Sequence, residues 1–202
     1  LGMLSSVFNH CIREWRLPIL NPVSLIRKPT LPKGRERILS IEEEQRLLSA
    51  FEPLGRRSIY MKPLVIVAIE SAMRRGELLK LKWTDVDLKQ RTAYLDLTKN
   101  GEDRTVPLST RAVATLKVLP RSIDGKVFPI NIAAMEAAFH KGRIRARLPD
   151  VHFHDLRHTA TTRLAEKLTN ILELSAVTGH KDLRMLKRYY HPKASDLALK
   201  IG

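Results

Sequence analysis

Cys11 is the only cysteine in the 202-residue chain, so no intramolecular disulfide can form. That count also argues against a cysteine-built zinc site and fits a reducing cytoplasm. No apolar run approaches the ~20 residues that a membrane span needs. Nothing at the start resembles a signal peptide. Leu1-Gly2-Met3 opens directly into an amphipathic pattern, from which we expect a fragment cut from a longer chain. Internal repeats and low-complexity segments are also missing. Acidic residues are scarce, 21 Asp and Glu against 36 Lys and Arg, which leaves a formal net charge of +15. Such an excess points to a polyanionic partner, nucleic acid being the commonest. The alternative is a basic protein with a solvated surface. Hydrophobic residues make up 44% of the chain, enough for a proper core, which excludes disorder.

Leu4, Val7, Phe8, Cys11, Ile12 and Trp15 recur at helical spacing and predict a helix over 2–16. Pro18, Pro22, Pro29 and Pro32 then interrupt a basic stretch that reads as a linker. We therefore expect residues 1–17 to be the last helix of a truncated upstream domain and 18–37 an interdomain linker. The main domain is expected over 38–192, with a tail at 193–202. Ser40 followed by Glu43 is a capping-box signature for a helix reaching Ala50. Pro63 suits a helix start before the apolar run 64–69, although its β-branched residues leave a strand open. Another helical stretch runs from Glu77 to Trp83. Thr92–Thr98 and Arg104–Leu108 flank Asn100-Gly101 and predict a hairpin, with Pro107 placing the second strand at an edge. Further helices are expected at about 110–118, 131–146, 155–168, 170–178 and 182–191. The predicted fold class is mainly α with a small antiparallel β-sheet, an α+β domain.

Four separated segments carry the chemistry: Ala72-Met73-Arg74-Arg75-Gly76-Glu77, Thr98-Lys99-Asn100-Gly101, His154-Asp155-Leu156-Arg157-His158, and Gly179-His180 with Arg188-Tyr189-Tyr190-His191. Metal-free transfer of a DNA phosphate needs a nucleophile, cations on the non-bridging oxygens, and groups that take one proton and deliver another. Arginine suits the oxygens because its fork donates two parallel bonds and keeps its charge. His154 and Arg157 share one face of a helical start, where Asp155 can cap, while Leu156 points into the core. His158 reads as a structural hydrogen-bonder. His152, His154 and His158 could instead chelate zinc, but no carboxylate-rich or cysteine segment completes the set. Taken alone, Arg74 and Arg75 read as surface charges, and Lys99 as a solvated turn lysine. Glu77 either orients Arg74 or starts the next helix. Tyr189 and Tyr190 would diverge on a helix, so at most one faces a given cleft.

In order and spacing these segments resemble the catalytic domain of the tyrosine recombinase family, the phage integrases and related DNA invertases. That family's first box reads roughly Thr-Gly-Leu-Arg-x-x-Glu, and Ser71–Glu77 matches it in register, selecting Arg74 over Arg75. Thr98–Leu108 is similar to its lysine-bearing hairpin, and His154–Arg157 to its His-x-x-Arg box. Gly179-His180 is similar to its Leu-Gly-His box with Thr178 in place of leucine. Tyr189 follows His180 at the family's interval of nine. The resemblance spans about Ser40 to Pro192.

It implies the tyrosine recombinase catalytic-domain fold and a metal- and ATP-independent DNA strand transferase working through a 3′-phosphotyrosine link. Arg74 and Arg157 would hold the phosphate, His180 would hydrogen-bond it, His154 would accept the tyrosine proton, and Lys99 would protonate the leaving oxygen. Tyr189 would be the nucleophile. No cofactor and no metal are implied. The expected partners are double-stranded DNA and further copies of the chain, a tetramer on paired sites, with no membrane association. The implied location is the bacterial cytoplasm, at the nucleoid. The tail carries Leu197, Leu199 and Ile201, apolar surface that could dock on a neighbouring copy. A type IB topoisomerase, an inactive DNA-binding protein and a zinc hydrolase are the competing readings.

Overall fold

The computed structural model describes residues 1–27, 29, 35–55, 58–96, 103–168, 170–190 and 194–201. Two compact units emerge, Leu1–Arg35 and Glu36–Gly202. In the first, helix α1 spans Gly2–Arg13 and a 3-10 turn spans Pro22–Ser24. Asn21 ties them together, donating to Ser5 Oγ and Asn9 Oδ1 at 2.9 Å each while accepting from Val23 N–H. The helix is shorter than its apolar spacing predicts.

In the second unit, α2 (Ile41–Ala50) starts at the predicted capping box. Ser40 Oγ accepts the Glu43 N–H at 3.2 Å and Glu43 Oε2 accepts the Ser40 N–H at 3.0 Å. The apolar run resolves as helix α3 (Met61–Ser71), with Pro63 in its first turn, where an amide has no intrahelical partner. Leu64, Val65 and Val67 are fully buried, so α3 forms the centre of the core, packed against two helices introduced below, 110–117 and 153–167. Each such side chain contributes about 1.5–3 kcal/mol of transfer free energy. α4 (Arg75–Lys80) follows after a sharp reversal.

Strands β1 (Val86–Asp87), β2 (Thr92–Leu95) and β3 (Arg104–Pro107) form an antiparallel sheet in the order β1-β2-β3. Ala93 pairs with Val106 and Leu95 with Arg104, while Pro107 sits on the edge strand as predicted. The strands are shorter than predicted, and β1 was not foreseen because two residues carry no readable alternation. The predicted Asn100-Gly101 turn lies outside the described residues.

Helices α5 (Thr110–Lys117), α6 (Ile132–Arg145), α7 (Phe153–Lys167) and α8 (Ile171–Thr178) then cover the core. α7 begins two residues earlier than expected, because the Asp155 carboxylate accepts the His152 N–H at 2.8 Å and caps from inside the first turn. The expected helix over 182–191 is not formed. Two 3-10 turns, Leu183–Met185 and Lys187–Tyr189, stand there instead. Asp182 Oδ1 captures the Arg184 N–H at 2.9 Å, offering the backbone a local partner that competes with a helix. Fully buried Leu186 pins the junction. α9 (Ala194–Ile201) ends the chain with Leu199 and Ile201 exposed; the side chain of Leu197 lies outside the described residues. Among the described residues no helix is long and apolar enough to cross a membrane.

Candidate active site

The site begins where α3 ends. Ala72 adopts φ 53°, ψ 19°, a left-handed turn that reverses the chain, buries Met73 and brings Arg74 to the head of α4. Arg74 is fixed by two bonds from its guanidinium. One nitrogen donates to Glu77 Oε1 at 2.9 Å and the other to the Gly179 carbonyl at 2.9 Å, 105 residues away. Glu77 also accepts the Arg74 backbone N–H at 2.7 Å and both arms of Arg104, at 2.9 and 2.8 Å. Burial works to raise the pKa of Glu77. The Arg104 fork, the Arg74 amide and the nearby charges outweigh it and hold the carboxyl below its ordinary value.

Arg157 lies on the first turns of α7, 6% exposed. Its guanidinium donates to the carbonyls of Ala72 and of Thr178, the latter at 2.7 Å. No carboxylate pairs with it among the described residues. Burial and the like charge of Arg74 pull its pKa down to about 10, which leaves it cationic at neutral pH. A buried cation held by neutral dipoles, without a carboxylate among the described residues, is an electrostatic invitation to an anion.

His180 follows Gly179, which ends α8 in the left-handed conformation, φ 67°. Thr178 Oγ1 donates to the Leu174 carbonyl at 2.6 Å and lies 2.7 Å from His180 Nδ1. With its one proton committed, the hydroxyl must accept from Nδ1–H, so Nε2 carries the lone pair. That nitrogen sits 3.4 Å from an Arg157 nitrogen. Burial, then Arg157 and Arg74, push His180 down to about 4, so the ring is neutral at pH 7.

Tyr189 occupies the second 3-10 turn, half-buried, and its hydroxyl hydrogen-bonds His158 Nδ1. The rings of His158 and His154 meet edge to face, centroids 4.9 Å apart. Sequence reasoning gave His158 a purely structural bond and assigned the tyrosine's proton to His154; the residue touching the phenol is His158. Burial lowers both histidines, followed by Arg157 for His154 and by His154 for His158. Burial raises Tyr189 above the ordinary phenol value, with Arg188 and Arg157 opposing. The resting pair is therefore a neutral phenol on a neutral imidazole.

A cavity of about 940 Å³ opens beside Arg74, His154 and Arg157, lined also by Arg75, Lys80 and Lys82 and by the carboxylates of Glu77, Asp85 and Asp96. Five of the six predicted site residues are thus described, and His180 and His154 lie beside the two arginines, Arg74 and Arg157. Tyr189 reaches them through His158. Lys99 lies outside the described residues. Arg75, which also lines the cavity, pairs with Glu136. Among the described residues no three His, Cys, Asp or Glu side chains gather as a metal ion would require.

Residues 37–196 match the profile of the phage integrase family. The chain belongs to that family. The Shufflon-specific DNA recombinase of Escherichia coli is 41% identical over all of this chain and 52% of its own length. A putative integrase/recombinase of Haemophilus influenzae is 32% identical over 98% of this chain and 67% of its own. The solved catalytic domain of bacteriophage HP1 integrase superposes with a TM-score of 0.66 at 26% identity, covering 82% of this chain and 94% of that one. The chain spans about half the length of the first of these relatives.

In this phage integrase chain, Ala72 stands where the family's first box has glycine, and it takes the left-handed conformation a glycine would adopt freely. Thr178, in the leucine slot of the Gly-His box, orients His180. Sequence reasoning has Glu77 orienting Arg74 or starting the next helix, and it does bond Arg74; Thr178 and Arg104 were missed as partners. For Arg104 a signal existed. It shares the inward face of β3 with buried Val106, where alternation calls for an apolar residue.

Proposed function

We propose that this chain is the catalytic part of a site-specific DNA recombinase that cleaves and rejoins strands through a 3′-phosphotyrosine intermediate. One observation carries the reading: two arginines with N–H groups to spare, a neutral histidine and a tyrosine bonded to a second histidine converge from segments over a hundred residues apart. Each guanidinium has five N–H donors and commits only part of them to protein acceptors, leaving others for the non-bridging oxygens.

Tyr189 Oη attacks phosphorus, the P–O5′ bond breaks, and the strand is left with a free 5′-hydroxyl. The bond to His158 supports His158 as the group that takes the phenolic proton. His154, lining the cavity with both arginines, serves the phosphate. Lys99, by resemblance, delivers a proton to the departing 5′ oxygen. Arg74 and Arg157 neutralise the charge that builds on the phosphoryl oxygens, donors of a kind worth about 3 kcal/mol each. The transesterification keeps the bond energy in the protein–DNA link, so resealing to another strand needs no nucleotide.

Double-stranded DNA is the substrate on this reading, supported by the +15 charge and the basic cavity. The working form is a tetramer on paired sites in the bacterial cytoplasm. α9, with Leu199 and Ile201 86% and 85% exposed, docks on a neighbouring copy.

The test uses a pool of nicked duplexes with randomised arms. DNA that remains attached to the protein in detergent is recovered and sequenced. Wild-type protein should yield adducts linked through Tyr189. Tyr189→Phe should yield none while still binding the recovered duplex, and Tyr190→Phe should retain them. Absence of any wild-type adduct overturns the proposal.

A further inference from the structure

Glu77 offers two carboxylate oxygens, with room for about four donors. All four places are taken: Oε1 by one arm each of Arg74 and Arg104, Oε2 by the Arg74 backbone N–H and the second Arg104 arm. Arg104 therefore occupies the half of the carboxylate that Arg74 would otherwise use. An arginine facing an unoccupied carboxylate closes both arms on it, the preferred bidentate geometry. Here Arg74, itself a cavity-lining residue, spends one arm on Glu77 and the other on Gly179.

Two further facts show that Arg104 is held in this place at a cost. Its Nε is buried without a hydrogen-bond partner among the described residues, a condition native proteins seldom keep without a reason. Its guanidinium also presses against the α-carbon of Gly179, so closely that a Cβ there would lie 2.8 Å from Cζ. Arg104 thus touches both sides of the site, the Glu77 hub that sets Arg74 and the turn that presents His180.

We propose that Arg104 is a positioning residue for strand cleavage: by filling half of Glu77 and bracing Gly179, it keeps the second arm of Arg74 off the carboxylate, on the Gly179 carbonyl with an N–H to spare for the phosphate, and holds His180 in line. The inference rests on the proposed recombinase reading. Arg104 itself need not touch DNA, so its loss should appear in the cleavage step and not in binding.

The experiment measures adduct formation on the duplex recovered above, at saturating protein, with melting temperature as a folding control. Arg104→Met should slow adduct formation by about 100-fold, the scale of a misplaced catalytic group, while the half-saturating concentration stays unchanged. Adding Glu77→Gln should then speed the Arg104→Met protein by about tenfold, because a neutral amide no longer captures both arms of Arg74. A residue with a merely structural role would show the opposite, a second loss. Arg104→Lys, which keeps the charge without the fork, should also be slow and serves if the methionine variant does not fold. Wild-type rates in the Arg104 variants, a loss confined to binding, a further loss on adding Glu77→Gln, or failure of both variants to fold would each overturn the inference. If wild-type protein forms no adduct, the recombinase reading falls and takes this one with it; normal wild-type adducts with unaffected variants sink this one alone.

Discussion

Replacing Gly179 by alanine perturbs the site through one methyl group, and its two costs can be separated. The backbone there has φ 67°, ψ 40°, where an L-residue with a Cβ loses roughly 1–2 kcal/mol relative to glycine. Reduced freedom of the unfolded chain returns about 0.4–1 kcal/mol. The new Cβ would also stand 2.8 Å from Arg104 Cζ and the adjoining nitrogen, and 3.0 Å from Nε. Arg104 cannot yield easily, because its side chain is 11% exposed and both arms are bound to Glu77. Displacing it is an overpacking event of about 1–3 kcal/mol. The expected sum is about 2–4 kcal/mol, or a melting temperature lower by roughly 6–12 °C for a unit of this size. Gly179→Asn divides the two terms, since asparagine tolerates the left-handed region yet carries the same Cβ. It should melt about 2–4 °C above the alanine variant. Adduct formation, which depends on where Arg104, Arg74 and His180 sit, should be slowed equally in both. Thermal unfolding followed by circular dichroism, with the adduct assay on the same preparations, provides the readings. A Gly179→Ala protein cleaving at the wild-type rate would refute the reasoning. So would activities that rank alanine and asparagine as the stabilities do.

Acid should destabilise the fold through the histidines. His180 is held down to about 4 and His154 and His158 are also lowered from the ordinary 6.5, chiefly by burial. The unfolded chain then takes up protons as the pH falls through 6.5 while the folded chain resists, so their contribution is intact above about 6.5 and lost towards pH 4. The melting temperature should fall across that window and fall less steeply in His180→Asn; a flat profile from pH 7 to 5 would contradict it. Away from the site, Glu44 is 5% exposed and joins α2 to α5 and α7 by accepting from Arg111 at 2.6 Å and from Arg163. Both arginines reach solvent, so Glu44→Gln should cost only about 1–2 kcal/mol, visible in thermal unfolding, with adduct formation unchanged.

Where local rules decide, the sequence is legible. The Ser40–Glu43 capping box, the Pro63 helix start and the edge position of Pro107 all follow from interactions within a few residues. The failures are equally local in origin. Asp182 captures a nearby amide and turns an expected helix into two 3-10 turns, and β1 is too short to show an alternation.

For the site, the residues taken singly read mostly as surface charges or structural groups, and it is the resemblance in order and spacing to the tyrosine recombinase family that singles them out. Arg74, Lys99, His154, Arg157, His180 and Tyr189 were named from that resemblance, and Lys99 lies outside the described residues. What only the tertiary structure decided is which polar atom meets which. Tyr189 meets His158, 31 residues away, and Glu77 holds Arg104, 27 residues away. Those pairings depend on how α7, α8 and β3 approach one another. Leu156, Leu174 and Val106 are buried apolar side chains of those elements, and they carry no chemistry of their own.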